Sequence, residues 1–201
     1  MRAVIIGSGH IGDCDYIKSK IAQNDYIICA DGGYDHAVKM GLEPDILIGD
    51  FDSILKLPET EKIEYPARKD FTDGELCVKY AAEHGFDDVL LLAMTGDRAD
   101  HTITDILLLT QCKKGCIADD NNEIYLLRDS VTINGNAGDT VSIVPVGGDV
   151  CGITTTNLEY PLCDETLYFG ESRGISNVMT ANECTITAKK GMGLVIKVRN
   201  V

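Results

Sequence analysis

The stretch Pro44-Asp45-Ile46-Leu47-Ile48-Gly49-Asp50-Phe51-Asp52-Ser53 constrains the fold more than any other. An unbroken apolar run over residues 46–48 predicts a short buried strand, and Gly49 ends it. Two carboxylates follow, one residue apart. In an extended chain alternate side chains share a face, so Asp50 and Asp52 point the same way, with Cα atoms roughly 7 Å apart. Such a pair at a strand's carboxyl end suits a hard divalent cation such as Mg²⁺. That ion takes oxygen ligands and completes its shell with water and substrate phosphate. A solvated acidic loop would explain one Asp-x-Asp equally well. It does not explain why acids recur at equivalent places, at Asp31, Asp73 and Asp100.

The same grammar repeats along the first part of the chain. A strand over residues 3–6 leads into Gly7-Ser8-Gly9-His10-Ile11-Gly12, after which Cys14, Ile17 and Ile21 recur at helical spacing. A strand at Tyr26–Ala30 ends in Asp31-Gly32-Gly33, and a short helix over residues 34–40 stops at Gly41. Residues 54–62 read as polar loop, with a short strand over 62–65 closed by Pro66. In Lys69-Asp70-Phe71-Thr72-Asp73-Gly74-Glu75, Thr72 and Glu75 match a capping box, so a helix is expected to start there and run to His84, with Gly85 closing it. An acid in a first helical turn is stabilised by the helix dipole alone, which is the plain explanation of Asp73. A buried strand over 89–93 then leads to Thr95-Gly96-Asp97-Arg98-Ala99-Asp100-His101, and Ile103, Ile106, Leu107 and Leu109 mark another helix. Arg98 is the natural phosphate clamp, because its planar fork matches phosphate oxygens. Pairing with one of the many acids is its ordinary alternative. His101 reads as a polar group near the site or as a surface cap.

From about Glu123 helical periodicity gives way to short β runs, over residues 124–127, 131–133, 140–144, 166–169, 184–188 and 194–198. The predicted fold is therefore α/β, with an N-terminal Rossmann-like parallel domain over residues 1–124. A smaller C-terminal all-β sandwich follows over residues 125–201.

The 201 residues suffice for a proper core, and 44% hydrophobic with 25% charged residues is ordinary for a soluble globular chain. No run approaches the roughly 20 apolar residues that span a bilayer, and the start lacks a leader's cleavage region, so the expected location is the cytoplasm. A net charge of -14 opposes nucleic acid and anionic membrane, and leaves room for a nucleotide if a metal bridges carboxylates to phosphates. The eight cysteines form no Cys-x-x-Cys pair, and Cys29, Cys77 and Cys184 sit in apolar patterns as small core residues.

In an open parallel sheet, ligands bind beyond the carboxyl ends of the strands. Asp31, Asp50, Asp52 and Asp100 follow strands and Asp73 opens a helix, so one edge collects five carboxylates. These repel unless a cation sits among them, and Mg²⁺ with a triphosphate is the economical occupant. Two other readings stand beside it. The turn at residues 7–12 is a literal Gly-x-Gly-x-x-Gly with an acid, Asp31, about 20 residues on, as an NAD-dependent oxidoreductase would have. A helix start there would also bind any phosphate through its backbone N–H groups. The third reading is a nucleotide-binding regulator without turnover.

Joined together, Ala30-Asp31-Gly32-Gly33, Gly49-Asp50-Phe51-Asp52-Ser53, Lys69-Asp70-x-Thr72-Asp73-x-Glu75 and Gly96-x-Arg98-x-Asp100-His101 resemble the thiamine pyrophosphokinase family in order and spacing. So do Thr154-Thr155-Thr156-x-Leu158-x-Tyr160-Pro161-Leu162 and Gly174-Ile175-Ser176-Asn177. The resemblance covers nearly the whole chain. It implies transfer of a pyrophosphoryl group from ATP to the hydroxyl of thiamine, giving thiamine diphosphate and AMP. It implies Mg²⁺ on Asp50, Asp52 and Asp73, with Asp31 and Asp100 close by and one carboxylate taking the hydroxyl proton. It places Lys69, Asp70, Thr72, Arg98, Asp100 and His101 at the nucleotide. It further implies a homodimer that holds thiamine between the catalytic domain of one subunit and the β domain of the other, near Thr154, Tyr160, Ser176 and Asn177. Two residues depart from the family pattern. Asp97 stands where a second glycine is usual before the Arg, and Tyr160 stands where some members carry Trp.

Overall fold

A computed structural model describes residues 1–52, 54 and 59–199, so Ser53 of the acidic motif and residues 55–58 of the expected loop lie outside the described residues. The chain is mixed α/β and divides into two units, Met1–Asp120 and Asn121–Val201. The sequence pattern put the division after residue 124. Asn122 and Glu123 fall in the second unit because they extend its first strand by pairing with Val198 and Lys197.

The first unit alternates strand and helix: β1 (Arg2–Ile6), α1 (Cys14–Ser19), β2 (Tyr26–Ala30), α2 (Gly33–Lys39), β3 (Ile46–Gly49), β4 (Glu61–Glu64), α3 (Asp73–Glu83), β5 (Asp88–Leu92), α4 (Ala99–Leu108) and β6 (Lys114–Ala118). Its strands lie in the order β4-β3-β2-β1-β5-β6, and each neighbouring pair is parallel. Parallel strands covered on both faces read as continuous apolar runs. Ile5, Ile6, Ile28, Ile46, Leu47, Ile48, Leu91, Leu92 and Ile117 are accordingly among the fully buried side chains. The chain leaves β1 toward β2 but leaves β5 toward β6. A crevice therefore opens beyond the carboxyl ends of these two adjacent strands, where a sheet of this kind binds ligands.

Helix ends follow from local chemistry. Thr72 caps α3, its hydroxyl accepting from the Glu75 N–H at 3.1 Å. The box is half closed, since Glu75 turns instead to Lys79 at 3.1 Å. Gly41 and Gly85 take φ of 65° and 78° after α2 and α3, the left-handed geometry that favours glycine at a helix end. α4 forms where its apolar period predicts, but with another face inward. Ile103 and Leu107 are exposed at 61% and 42%, while Asp105 and Leu108 are buried. β4 begins at Glu61, within what reads as loop in the sequence.

The second unit consists of β7 (Asn122–Leu127), β8 (Ser130–Asn134), β9 (Thr140–Thr156), β10 (Glu165–Leu167), β11 (Asn177–Val178), β12 (Glu183–Thr187) and β13 (Lys190–Val198). These pair antiparallel. β9 is far longer than the run at 140–144 suggests. Its first half pairs with β13 and its last residues pair with β12. Between them Gly147 and Gly148, at φ of 73° and 152°, turn the strand without ending it. Leu127, Ile133, Val141, Val150, Ile153, Ile186 and Val195 fill the core of this unit. All eight cysteines are free thiols, with Cys29, Cys77 and Cys184 buried. No helix among the described residues is long and apolar enough to cross a membrane.

The tightest junction in the first unit is at Gly33, where a Cβ would stand 1.9 Å from the Ile6 carbonyl oxygen. Gly33→Ala is expected to destabilise the protein by roughly 1–3 kcal/mol, as overpacking does. Gly96→Ala, whose nearest neighbour would be 3.4 Å away, is expected to be close to neutral. Urea unfolding midpoints check this, and equal midpoints for the two variants would mean that α2 does not dock against β1 in this way.

Candidate functional site at the carboxyl edge of the parallel sheet

Asp31 leaves β2 in a left-handed conformation, at φ of 42°. Its N–H donates to the Ile48 carbonyl at 2.9 Å, and its carboxylate accepts from the Phe51 N–H at 3.1 Å. Gly49 permits this approach, because a Cβ there would stand 2.9 Å from the Cβ of Asp31. Asp50 and Asp52 follow directly. One carboxylate oxygen from each of Asp31, Asp50 and Asp52 lies within 4.8 Å of the others. The crowding raises the pKa of Asp52, with the charge of Asp50 as the largest cause. Three oxygens of one sign at this spacing are a donor set for a hard cation.

Asp73 joins this group through a lysine. Lys69 Nζ lies 3.0 Å from Asp73 Oδ1 and 3.7 Å from Asp50 Oδ2. Burial works against the ammonium charge, but Asp73, Asp50 and Asp31 outweigh it and raise the Lys69 pKa. Asp73 Oδ1 is buried with no directed hydrogen bond among the described residues, so Lys69 serves it as a counter-ion. The sequence expectation set Asp50, Asp52 and Asp73 on the metal. In the structure Asp50 and Asp52 are grouped with Asp31, and Asp73 stands one ammonium away.

A cavity of about 560 Å³ opens beside these acids. It is lined by the β1 loop from Gly7 to His10, by Ala30 and Asp31, by Thr72, Asp73 and Gly74, by the β5 loop from Ala93 to Arg98, and by His101, Thr102 and Asp105 of α4. This is a normal size for a small-molecule site. Of the residues expected at a nucleotide, Thr72, Arg98 and His101 therefore face the cavity. Lys69 sits among the acids, and Asp70 and Asp100 are exposed outside the lining. Arg98 is held by Asp100, with Nε to Oδ1 at 3.1 Å and a terminal nitrogen to Oδ2 at 2.6 Å. That fork holds the Asp100 carboxyl well below the usual carboxylate range.

The glycine-rich turn proves to be a packing device. Gly7, Gly9 and His10 give their N–H groups to the carbonyls of Leu92, Ala93 and Thr95 at 2.8, 2.7 and 2.9 Å. Gly12 and Asp13 give theirs to the Asp120 carboxylate at 2.7 and 2.8 Å. A Cβ on Gly9 would stand 2.4 Å from the Thr95 carbonyl oxygen. Moreover α1 starts only at Cys14, with Asp13 as its cap. The N–H groups of Gly7, Gly9, His10, Gly12 and Asp13 are thus spent inside the protein and not offered to a dinucleotide's pyrophosphate.

In the second unit Tyr160 and Asn177 clamp one another. The Tyr160 N–H donates to Asn177 Oδ1 at 3.0 Å, and Asn177 Nδ2 donates to the Tyr160 carbonyl at 2.7 Å. Both line a smaller cavity of about 170 Å³, with Arg173 and Ile175. Ser176 adopts φ of 60° and its N–H donates to the Ser142 hydroxyl at 3.0 Å. The Thr154 hydroxyl accepts from the Asp164 N–H at 3.1 Å. Neither Ser176 nor Thr154 lines this cavity.

Sequence reasoning missed Asp105 and Asp120. Asp120 shows no local pattern, because its partners are more than 100 positions away. Asp105 had a signal, lying one helical turn past His101 on the cavity side of α4.

Comparison with known proteins agrees in sequence and in fold. The thiamin pyrophosphokinase catalytic domain matches residues 17–119, and the thiamin pyrophosphokinase vitamin B1 binding domain matches residues 129–192. A thiamine pyrophosphokinase of Bacillus subtilis is 30% identical over 171 residues, covering 78% of this chain and 79% of that protein. Thiamine pyrophosphokinase 1 of rice is 24% identical, covering 86% and 79%. The crystal structure of the Bacillus subtilis thiamine pyrophosphokinase superposes with a TM-score of 0.88 at 25% identity over 100% of both chains. That of Geobacillus thermodenitrificans does so with a TM-score of 0.86 at 25% identity, over 100% of this chain and 98% of the other.

The ion pairs of Lys69 make a prediction for the metal-free protein. In the presence of chelator, Lys69→Ala is expected to lose about 1 kcal/mol, because it strands the buried Oδ1 of the half-buried Asp73 carboxylate. Mg²⁺ is expected to restore part of that loss. Thermal melts with and without Mg²⁺ read both effects, and an unchanged melt in chelator would remove Lys69 as the counter-ion.

Proposed function

The chain belongs to the thiamin pyrophosphokinase family, and from that premise we propose which of its residues carry the chemistry. It is a transferase that uses ATP as co-substrate, binds thiamine and makes thiamine diphosphate. The observation that carries the assignment of residues is the Asp31, Asp50 and Asp52 triad beside a nucleotide-sized cavity.

The first unit is the catalytic, Rossmann-like half and takes ATP in the crevice beyond β1 and β5. Mg²⁺, when bound, neutralises phosphate charge and draws electron density from the phosphorus under attack. Asp50 and Asp52 would hold it with Asp31, whose oxygen lies in the same group. Asp73 would be the further ligand, standing on the other side of the Lys69 ammonium from Asp50. The thiamine hydroxyl oxygen attacks the β-phosphorus, the bond from that phosphorus to the α–β bridging oxygen breaks, and AMP leaves with the oxygen. The hydroxyl proton passes to a carboxylate of the acid set. Arg98 and Lys69 balance the charge that spreads over the phosphate oxygens. Arg98 must release Asp100 to do so, and its exposed side chain is free to swing. Thr72 and His101 contact the nucleotide from the cavity wall.

The second unit is the β-sandwich that holds thiamine. Tyr160 offers its ring to the cationic heterocycle, with Asn177 fixing its backbone. Thr154 and Ser176 shape the loops around it. The enzyme works as a homodimer in which thiamine lies between the catalytic unit of one subunit and the β unit of the other. Its place of work is the cytoplasm.

The test is an endpoint assay with purified protein, Mg²⁺, ATP and thiamine that separates AMP from ADP. Thiamine-dependent AMP with thiamine diphosphate is expected. ADP with thiamine monophosphate would make the site a simple kinase. Asp52→Asn is expected to lose about hundredfold or more in turnover while its melt stays near that of the wild type, because it removes one charge from a solvent-facing cluster. Near-normal turnover would exclude Asp52 from the metal.

A further inference from the structure

Asp105 is a carboxyl without a task in the chemistry above. It sits in the interior of α4, 8% exposed, and lines the large cavity. Its Oδ1 approaches α3, lying 3.4 Å from where a Cβ on Gly74 would stand, close to Met94 and Leu108. Among the described residues no hydrogen bond or ion pair reaches it, and the charged group that bears on it is His101. Burial pushes its carboxyl up to about 6, against the pull of His101. Its oxygens border the cavity, so only the cavity's water serves them; a largely buried carboxyl without a protein partner is costly, and helices that pack on a sheet normally place an apolar residue at such a position. The cost is recovered if a ligand supplies the missing partner.

We propose that Asp105 is a specificity residue for the nucleotide, its carboxyl taking an O–H or N–H donor from the nucleoside half of ATP. The inference rests on the assignment of this cavity to ATP. Elimination selects the nucleoside. Phosphate oxygens at neutral pH carry no donor and repel a carboxylate that has no cation of its own. An apolar ring edge would leave the carboxyl as unpaired as before. Only the ribose hydroxyls and the exocyclic amine of adenine offer what is missing.

Steady-state kinetics on the full chain test this with four nucleotides: ATP, 2′-deoxy-ATP, 3′-deoxy-ATP and purine riboside triphosphate, which lacks the amine. The wild type is expected to lose roughly tenfold to hundredfold in kcat/KM on the one analogue that lacks the donor. Which analogue it is tells sugar from base. In Asp105→Leu, kcat/KM for ATP is expected to fall to that analogue's level, so that the ratio between them goes to about one. Its KM for thiamine stays unchanged. Its melting temperature is expected to equal or exceed that of the wild type, because an unpaired buried carboxyl has gone. Asp105→Ala, which removes the acceptor without adding bulk, provides the same readout if the leucine variant does not fold. A uniform loss with all four nucleotides, or a change confined to the thiamine KM, would overturn the proposal while leaving the function intact. Absence of thiamine-dependent AMP from the wild type would instead overturn the functional assignment beneath it.

Discussion

Carboxylates within a few ångströms of one another repel, and the first unit holds three of them together through its backbone. The chain turns left-handed at Asp31 and again at Phe51, at φ of 42° and 60°. The Asp31 N–H is fixed to β3, and the Asp31 carboxylate receives the Phe51 N–H. Gly49 lets the two strand ends touch. None of these contacts depends on the charge state of Asp52, so repulsion is borne by the ladder of β2 and β3 and appears as a raised Asp52 pKa. A site stressed in this way gains most from a cation. Backbone strain and like charge in one place are what the proposed site, preorganised for a metal and a polyphosphate, would require.

The glycine-rich turn after β1 works by close approach, not by cradling a ligand. Its glycines press β1 against the loop after β5, and the N–H groups of Gly7, Gly9, His10 and Gly12 are spent on carbonyls and on Asp120. Two strands adjacent in the sheet, but distant in sequence, are thereby locked at their carboxyl ends. The crevice between them keeps a fixed floor of glycine and alanine. A motif that in a dinucleotide enzyme turns its amides outward here turns them inward. What identifies the reading is where the donors go, since the letters are the same.

Much of the fold was legible because parallel strands announce themselves as apolar runs and glycines mark where helices stop. Tyr26–Ala30, the Thr72 cap and the turns at Gly41 and Gly85 were readable one by one. The acids after β2 and β3 were legible for the same reason, as charge placed at the end of a buried run. What escaped was set by tertiary partners. β9 was hidden by Pro145, Gly147 and Gly148, which bend a strand that β12 and β13 hold at both ends. The apolar residues of α4 indicated a helix but not its inner face, because the inward position went to Asp105 in place of a leucine. Lys69 read as one charge in a crowded turn, and only the fold shows that it stands between Asp50 and Asp73.

The electrostatics of the chain then bear on which form of the nucleotide enters. The protein carries a net charge of -14, and its cavity is edged by Asp31, Asp73, Asp97 and Asp105. Asp97 stands where the family usually has glycine, so this chain adds an acid at the mouth. The nearby cation, Arg98, is already matched by Asp100. A free triphosphate meets repulsion along the whole approach, whereas a triphosphate already carrying its metal presents much less negative charge. Two of the acids that would deter the first, Asp31 and Asp73, belong to the ligand set proposed for the metal of the second. Charge therefore acts as a filter before any hydrogen bond is made, and it leaves recognition of the nucleoside to the part of the crevice wall where glycine, methionine and the Asp105 carboxyl meet.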